Sequence, residues 1–343
     1  MTDAHSQIRT APTLEAVAAR AAVSRATASR VLRGAANVSS RARAAVEAAA
    51  EELSYTPNRA ARSLVTGRSE SVAFYVDESE DRLFSDPYFL GVLRGTQTAI
   101  AQAGMQLVFT VASTPQDHER FLRYAAGRHI DGVLLLSLHG QDQLPQQLER
   151  LGVPTVLSGR PLADGSELCF VDADNTAGGA IATRHLLDIG RSVVATITGP
   201  LDMGAGQDRL AGYLDTFAER GLPVRQELVS EGTFTVSSGY DSMLRLLETE
   251  PSIDAVFAAS DLTALGAMRA IEVSGRRVLD DVAVVGFDDI SAAETARPAL
   301  TTVRQPIAEI GAKMADLLVR RISGEEPTRQ TILPVELILR DTA

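Results

Sequence analysis

The stretch VSRATASRVL carries two arginines and three hydroxyl side chains within ten residues. An arginine guanidinium can donate two hydrogen bonds to the edge of one guanine, and serine and threonine hydroxyls can donate to phosphate oxygens. In a helix, a step of about 100° per residue places an arc of small and arginine side chains opposite an apolar arc. The first arc is Ala26, Ser29, Arg30 and Arg33, and the second is Thr27, Ala28, Val31 and Leu32. These residue types predict a helix that can read base edges with one face and pack with the other.

Three helices are needed to hold that face in place, and the sequence supplies a capping residue for the first two. Thr13 can cap a helix whose apolar residues recur over 14–21, and the chain then turns at residues 22–23. Ser24 can cap the second helix, and a third helix over 39–53 would close a small core. Two short helices joined by a tight turn form a helix-turn-helix, whose second helix enters the major groove by its N-terminal end.

The predicted DNA contacts of the second helix follow from this geometry. The residues predicted to face the bases are Arg25, Ala26 and Arg30. The residues predicted to contact the DNA backbone are Ser24, Thr27, Ser29 and Asn37, of which Thr27 lies towards the packed arc. Helical hairpins are common on protein surfaces, so a solvated arginine face is the alternative interpretation.

The next stretch, SYTPNRAARSLVTGRS, predicts one further short helix. Pro57 suits the first helical position and Gly67 the end, and a helix of about two turns is marginal without a partner. One interpretation is a linker whose leucine rests on a domain surface. The other is a leucine wedge for the minor groove, flanked by arginines that bind phosphates. The DNA contacts predicted here are Asn58, Arg59, Arg62 and Leu64.

The net charge of −11 conceals an asymmetry along the chain. Residues 1–68 contain ten Arg and no Lys against five acidic residues, whereas the remainder has 23 basic and 39 acidic residues. A basic head on an acidic body is typical of a chain that meets a polyanion at one end.

Signals for several other classes of protein are missing from the sequence. The single cysteine, Cys169, excludes an internal disulfide and a cysteine zinc cluster, and the five histidines have no catalytic or metal-ligand spacing. The GAG triplet at 204–206 does not complete a dinucleotide-binding fingerprint. We find no apolar run of membrane-spanning length and no signal-peptide core. We therefore expect no enzyme activity, no cofactor, no metal ion and a cytoplasmic location.

From residue 70 onward, strands and helices are predicted to alternate. The run 71–76 predicts a buried strand and 89–104 a helix, and the alternation continues to residue 159. It restarts after DADN, with helices predicted at 176–190, 206–221, 236–249 and 261–275. This order indicates two doubly wound lobes, each a parallel sheet with helices on both faces. Ligands of such folds bind at the carboxyl ends of the strands, which here means the cleft between the lobes.

Motifs in both parts of the chain resemble one known family. TLEAVAARAAVSRATASRVLRG and VSSRARAAVEAAAEELSYTPNRAARSLVTGRS resemble the DNA-binding head and hinge of the lactose-repressor (LacI/GalR) family. VDADNTAGGAIATRHLLDIG, GPLDMGAGQDRLAGY, ASDLTALGAMRAI, DVAVVGFDD and PALTTVRQP are similar to motifs of its effector domain. The resemblance implies an α/β fold class, with an N-terminal helix-turn-helix head and a two-lobed, type I periplasmic-binding-protein-like effector domain of parallel doubly wound sheets. Ala22 departs from the usual glycine, and Arg191 from the usual histidine.

The resemblance also implies domain boundaries. We expect a flexible N-terminus over 1–12, a helix-turn-helix domain over 13–56, a hinge helix or linker over 57–69 and an effector-binding domain over 70–343. Within the last, the N-lobe is expected at about 70–172 and 300–330, and the C-lobe at about 173–299 and 331–343.

Seven residues are predicted to form an effector site. Arg209 would otherwise be interpreted as a surface arginine of a helix, and the resemblance makes it the cleft arginine that binds ligand hydroxyls or carboxylates. Asp288 and Asp289 could form a magnesium site or a loop, and the resemblance selects Asp288 as the ligand-facing carboxylate. The resemblance implies Phe89, Arg209, Phe234 and Asp288, and the predicted set also includes Ser260 and Asp261, which follow a strand, and Tyr88 as a second aromatic wall.

Three positions bear on the kind of ligand that the resemblance implies. Met203 and Ala205 stand where purine-binding members carry polar residues, which favours a sugar over a nucleobase. Gly159 replaces an acidic residue of many sugar-responsive members, and Ser260 stands where asparagine is frequent.

These observations predict a dimeric, sequence-specific DNA-binding transcription regulator, expected to repress carbohydrate-utilisation genes. Its expected partners are palindromic operator DNA, a second copy of the chain and a small effector, a sugar or sugar derivative, in the cleft. No membrane partner is expected, and the sequence has no leucine heptad tail of the kind that tetramerises some family members. A solute-binding protein of the same lobe architecture is the alternative, and the head and hinge argue against it.

Overall fold

The computed structural model describes residues 12–32, 34–35, 37–56, 67–140, 142–162 and 167–343. The chain divides into two compact units, Met1–Ser69 and Glu70–Ala343. The expected N-terminal segment 1–12, apart from its last residue, and positions 57–66 of the expected hinge lie outside the described residues.

The first unit has the three predicted helices, α1 (Leu14–Arg20), α2 (Arg25–Leu32) and α3 (Ser40–Glu52). The side chains of Thr13 and Ser39 accept hydrogen bonds from backbone N–H groups in the first turns of α1 and α3, and Ser24 does the same for α2 at 3.1 Å. These caps satisfy N–H groups that have no partner inside the helix. The small core is Val17, Ala18, Ala28, Val31, Val46 and Ala49. The helix-turn-helix prediction is confirmed.

The first sheet of the second unit has six parallel strands. They are β1 (Ser71–Asp77), β2 (Gln106–Ala112), β3 (Gly132–Leu136), β4 (Thr155–Ser158), β5 (Cys169–Ala173) and the later β11 (Gln330–Leu333), in the order β11-β5-β4-β3-β1-β2. The connecting helices are α4 (Glu80–Ser85), α5 (Pro87–Gln102), α6 (Pro115–Ala126) and α7 (Leu144–Arg150). The central strands β1 and β3 are apolar and buried along most of their length, because helices cover both faces of the sheet.

The second sheet also has six strands, in the order β12-β10-β9-β8-β6-β7. They are β6 (Val194–Ile197), β7 (Val229–Ser230), β8 (Ala255–Ala258), β9 (Ala283–Asp288), β10 (Thr301–Arg304) and β12 (Glu336–Ile338), and only β12 runs antiparallel to its neighbour. The helices are α8 (Asn175–Asp188), α9 (Gly204–Glu219), α10 (Val236–Thr249), α11 (Asp261–Val273), α12 (Ser291–Thr295) and α13 (Ile307–Ile322), with a short 3₁₀ helix at Gln226–Leu228. Of these, α13 packs on the first sheet.

The chain crosses between the lobes three times, and two predicted boundaries need correction. Strand β10 pairs with β9, so residues 301–304 belong to the second lobe rather than to the N-lobe. Pro306 has no N–H to donate to a ladder, and the crossing follows β10 at residues 305–306. Strand β11 pairs with β5, so residues 331–333 belong to the first lobe rather than to the C-lobe. We call residues 70–173 and 305–333 the first lobe, and 174–304 and 334–343 the second.

Among the described residues, no helix combines the length and the apolar character that crossing a membrane requires.

Candidate functional site

A cavity lies between the two lobes, at the carboxyl ends of their strands, and together with its opening to solvent it encloses about 690 Å³ of empty space. Six of the seven residues implied by sequence line it: Tyr88, Phe89, Arg209, Phe234, Ser260 and Asp288. Segments that follow β1, β3 and β4 contribute from the first lobe, and segments that follow β6, β7 and β8, together with the last residue of β9, contribute from the second. The parallel strands explain this convergence, because their carboxyl ends share one edge of each sheet.

Arg209 is buried in the cleft rather than exposed on a helix surface. Its Nε donates to Asn175 Oδ1 at 2.8 Å and one terminal nitrogen donates to the carbonyl of Ala259 at 2.5 Å. The guanidinium lies 3.6 Å from the ring centroid of Phe287, which is close enough for a cation–π interaction. Burial lowers the pKa of Arg209, and the nearby carboxylate of Asp288 opposes that change. The side chain is therefore held in one orientation before any ligand arrives.

Asp288 supplies the carboxylate that faces Arg209, with 3.6 Å between its Oδ1 and the guanidinium. Gln305 donates to the same oxygen at 2.6 Å. Burial raises the pKa of Asp288 to about 7, although the charge of Arg209 lowers it. The backbone at Asp288 has a positive φ of 114°, which a non-glycine residue adopts only when its surroundings enforce it.

The neighbouring Asp289 does not join Asp288 in a paired-carboxylate site. Its two oxygens accept from Arg304 at 2.7 Å and from Arg340 at 2.6 Å. These contacts use Asp289 within the second lobe, so the arrangement favours a loop over a magnesium site at this pair.

Aromatic side chains form walls of the cavity from both lobes. The rings of Tyr88 and Phe89 meet edge to face at 5.6 Å, and the hydroxyl of Tyr88 is hydrogen-bonded to Ser158 at 2.6 Å. Phe234 comes from the second lobe and packs so closely on Gly199 that a Cβ there would overlap the ring. An aromatic face beside polar groups can pack on the C–H face of a ligand while the polar groups bind its hydroxyls.

Ser260 lines the cavity as expected and has a second role in the helix, whereas Asp261 does not reach the cavity. The Ser260 side chain caps α11 by accepting from Thr263 N, although the residue also lines the cavity. Asp261 does not line the cavity, because its carboxylate accepts from the Thr302 hydroxyl at 2.5 Å and from the Ile290 N–H at 2.8 Å. Asp261 is thus an internal brace between β10 and the loop after β9.

Several residues that line the cavity were not predicted from the sequence. They are Arg82, Asp86, Ser137, Leu138, Ser158, Arg160, Asp172 and Gln305. Most of them follow or end a strand of the first sheet, so the rule that ligands bind at carboxyl ends could have found them. Arg82 lies on the short helix α4, which no hydropathy pattern indicated.

Asp172 links the first lobe to Arg209. Its Oδ1 accepts from Asn175 Nδ2 at 2.8 Å, and Asn175 in turn accepts from Arg209. Burial raises the pKa of Asp172 to about 6. Next to it, Arg160 pairs through two nitrogens with Asp208 of the second lobe, at 3.0 and 2.7 Å. The lobes therefore meet through charged contacts at the cavity.

The predicted DNA-reading face of α2 is exposed where base contacts require it. Arg25, Ala26 and Arg30 are exposed, and Arg25 makes a surface ion pair with Glu15 at 2.7 Å. Such exposed pairs are weak and are readily exchanged for a phosphate or a base.

The structure describes three of the remaining predicted DNA contacts of α2 and its turn, and also Asn37. The hydroxyls of Ser24 and Thr27 are 2.9 Å apart, so both are partly used inside the helix cap. Ser29 is half-buried and Asn37 is exposed. The other predicted contacts, Asn58, Arg59, Arg62 and Leu64, lie outside the described residues.

Comparisons with known proteins cover both units of the chain. The family model described as bacterial regulatory proteins, lacI family, matches residues 13–58, and the periplasmic binding protein-like domain matches residues 183–343. The HTH-type transcriptional regulator CelR of Thermobifida fusca is 48% identical over 97% of this chain and 99% of its own length. The ribose operon repressor of Halalkalibacterium halodurans is 33% identical over 96% of each chain.

Two solved structures have the same architecture. A transcriptional regulator CelR–cellobiose complex is 46% identical, with a TM-score of 0.78 over 97% of this chain and 100% of that chain. The lac repressor dimer bound to operator and an anti-inducer is 27% identical, with a TM-score of 0.86 over 97% and 99%. The match over nearly the whole chain, with the head and both lobes in common, shows that this protein belongs to the LacI family of DNA-binding transcription regulators, which are not enzymes.

Proposed function

We propose that this regulator is a dimeric repressor of carbohydrate-utilisation genes that binds a palindromic operator and is released from it by a sugar. The observation that carries the proposal is the cavity itself, where the buried Arg209 and Asp288 lie beside aromatic rings from both lobes. A sugar presents hydroxyls at its edges and C–H groups on its faces, so it can use both kinds of wall at once.

The first candidate for the effector is cellobiose. The CelR relative whose structure contains cellobiose is 46% identical to this chain and covers 97% of it. Met203 and Ala205, which line the cavity, offer no side-chain hydrogen bonds for a nucleobase edge.

Residue roles follow from the same proposal. We assign the effector contacts to Tyr88, Phe89, Arg209, Phe234, Ser260 and Asp288, and we assign Asp261 a structural role instead. In the head, we assign base contacts to Arg25, Ala26 and Arg30, and contacts to the DNA backbone to Ser24, Thr27, Ser29 and Asn37. A minor-groove wedge at Leu64, flanked by Asn58, Arg59 and Arg62, completes the proposed interface. Because chromosomal DNA is the proposed partner, we place the protein in the cytoplasm.

Lobe closure is the proposed switch. An effector that binds one relative orientation of the lobes better than another shifts the protein towards that orientation. In a dimer, this shift changes how well both heads fit two half-sites at once, and hence the affinity for the operator.

Calorimetric titration of the purified chain with a small panel tests the proposal. The panel is cellobiose, maltose, glucose, guanine and hypoxanthine. Maltose tests the glycosidic linkage, glucose tests the number of sugar units, and the two purines test the class of ligand. We expect cellobiose to bind at one site per chain and, in a separate thermal melt, to raise the melting temperature of the protein. Maltose and the purines should give neither a heat of binding nor a shift of the melting temperature. Binding of a purine with no sugar response would contradict the proposed effector class.

A further inference from the structure

Arg82 lies in the effector cavity between aromatic rings of the two lobes. Its guanidinium lies 5.9 Å from the ring centroid of Phe89 in the first lobe and 5.3 Å from that of Phe234 in the second. The side chain is only 12% exposed, and its Nε is buried without a hydrogen-bond partner among the described residues. Arg82 lines the effector cavity, so an effector oxygen there can accept a hydrogen bond from its guanidinium.

Glu78 connects Arg82 to His139. Its Oε1 lies 2.7 Å from an Arg82 terminal nitrogen, 2.5 Å from the Ser137 hydroxyl and 3.1 Å from His139 Nε2. Burial opposes ionisation of Glu78, but the hydrogen bond from His139 and the charge of Arg82 outweigh it and hold the pKa below its usual value. One carboxylate oxygen therefore joins the cavity arginine to a histidine.

His139 extends the connection into the second lobe. Its Nδ1 lies 3.1 Å from Oδ2 of Asp202, in the loop before α9. Gly140 N donates to the Asp202 carbonyl at 2.7 Å, so backbone and side chain cross the cleft at the same place. Arg82 lines the effector cavity at one end of this connection, and at the other end Asp202 precedes helix α9, which carries the lining residue Arg209.

We propose that Arg82, Glu78, His139 and Asp202 form a relay that couples an effector oxygen at Arg82 to closure of the two lobes. The inference rests on the proposed function, since it needs an effector in the cleft. An effector that accepts a hydrogen bond from the Arg82 guanidinium fixes that group against Glu78. Glu78 then holds His139 in the orientation that reaches Asp202. Effector binding and the contact between the lobes thereby favour each other.

The relay depends on the protonation of His139. Both ring nitrogens face carboxylates, and an imidazole can donate from both only when it is protonated. The charged groups around the ring are Glu78, Asp202, Asp77 and, through Glu78, Arg82. The hydrogen bond to Glu78 raises the pKa of His139 above its usual value, and Asp202 adds to this against the effect of burial. The contacts of His139 with Glu78 and Asp202 are therefore both formed at low pH, and they weaken as pH rises through the raised pKa of His139.

The chain contains a matched control for this histidine. His118 also lies between two carboxylates, with Nε2 3.0 Å from Asp77 and Nδ1 3.5 Å from Asp142, but all three residues are in the first lobe. The variants His139→Gln and His118→Gln remove the same titratable group from similar surroundings. Only the first removes a contact between the lobes.

Titration of the full chain with cellobiose at about pH 6 and about pH 8.5 tests the relay. We expect His139→Gln to weaken binding about 5- to 50-fold at the lower pH, with a smaller difference from wild type at the higher pH. His118→Gln should follow the wild type at both values. Asp172 and Asp288 titrate in all three proteins, so the comparison with wild type isolates His139. Arg82→Lys keeps the charge but lacks the planar guanidinium, whose several N–H groups can donate to Glu78 and to an effector at once, and it should weaken binding at both pH values.

Equal affinities of His139→Gln and His118→Gln at both pH values would overturn the relay while leaving the effector assignment intact. If the wild-type protein binds no sugar, the proposed effector fails instead. The relay is then judged by hydrogen exchange of the Gly140 amide in the protein without sugar. Faster exchange in His139→Gln than in His118→Gln supports the relay, and equal exchange in the two variants contradicts it.

Discussion

At the residue scale, the site depends on two opposite charges buried together. Arg209 is held by Asn175 and by the Ala259 carbonyl, and Asp288 is held by Gln305. Burying either charge alone is costly, and each offsets part of the other's desolvation. An effector hydroxyl placed between them can donate to the carboxylate and accept from the guanidinium. The pair therefore prepares the cavity for a polyhydroxylated ligand.

Replacing Arg209 by alanine should abolish effector binding and leave operator binding intact. The variant removes the main donor of the cavity and leaves Asp288 without its partner, so we expect a loss of about 3–5 kcal/mol in the free energy of unfolding. Calorimetry and urea unfolding measure the two effects. The double variant Arg209→Ala/Asp288→Asn should recover stability without recovering binding. A single variant that still binds the effector normally would remove Arg209 from the site.

The stability of the second unit should fall as pH rises from about 4 to about 7. Burial raises the pKa of Asp288 to about 7 and that of Asp172 to about 6, so the folded state holds these protons more tightly than the unfolded chain does. The stabilisation is complete below the unfolded pKa and is lost as pH passes the folded values. Urea unfolding at several pH values in this range measures the free energy of unfolding. We expect this free energy to fall less steeply with pH in Asp288→Asn than in wild type. Identical slopes would show that Asp288 ionises as freely as a surface carboxylate.

At the element scale, capping residues and helical periodicity predicted the three helices of the head correctly. Thr13 and Ser24 cap the helices that the sequence assigned to them, the third helix begins beside Ser39 as predicted, and buried positions recur with the predicted period. The turn between α1 and α2 was also predicted, and it contains the one residue with unfavourable backbone geometry in the described part of α1–α2. Ala22 has φ of 51°, a conformation in which glycine is free of the Cβ clash.

Ala22→Gly should therefore stabilise the head by about 1 kcal/mol. The matched control is Gly34→Ala, because Gly34 has φ of 74° and open space around its Cα. That change should destabilise the head by a similar amount. Hydrogen exchange of amides in α1 and α2 of the full chain measures both. A stabilising effect of Gly34→Ala would show that local backbone strain does not govern this fold.

Other features of the second unit could not be predicted from the pattern of apolar and polar residues in a short stretch of sequence. Strand β5 was missed because Asp172 interrupts its apolar run, and that carboxylate is buried only because backbone and Asn175 donors satisfy it. Strand β10 was assigned to the wrong lobe because pairing with β9 is a long-range contact that no short window contains. The same limit applies to Asp261, whose partner Thr302 lies 41 positions further along the chain.

At the scale of the whole molecule, charge is separated along the chain. The arginine-rich first 68 residues oppose an acidic remainder, which suits a protein that presents one end to DNA. A single head of this size reaches few base pairs, so pairing two half-sites is the expected route to specificity. This is why the proposed function requires a dimer.

Leu64→Ala should weaken operator binding about tenfold or more and leave cellobiose binding unchanged, because the proposed wedge enters only the DNA. Leu64 lies outside the described residues, so the expectation rests on the sequence and its family resemblance. Leu222→Ala, which trims an exposed leucine of the second lobe, is the control and should leave operator affinity unchanged. Fluorescence anisotropy with labelled operator measures both. Operator affinity of Leu64→Ala equal to that of the control would remove the wedge.

The most direct test of the account is operator binding by the full chain with and without cellobiose. The operator would be a palindromic site selected from DNA that flanks the protein's own gene, and anisotropy would report the affinity. We predict that saturating cellobiose weakens operator binding about 5- to 150-fold, and that Arg209→Ala binds the operator equally well with and without the sugar. Operator affinity that stays constant while calorimetry shows cellobiose in the cleft would contradict the coupling between cleft and head.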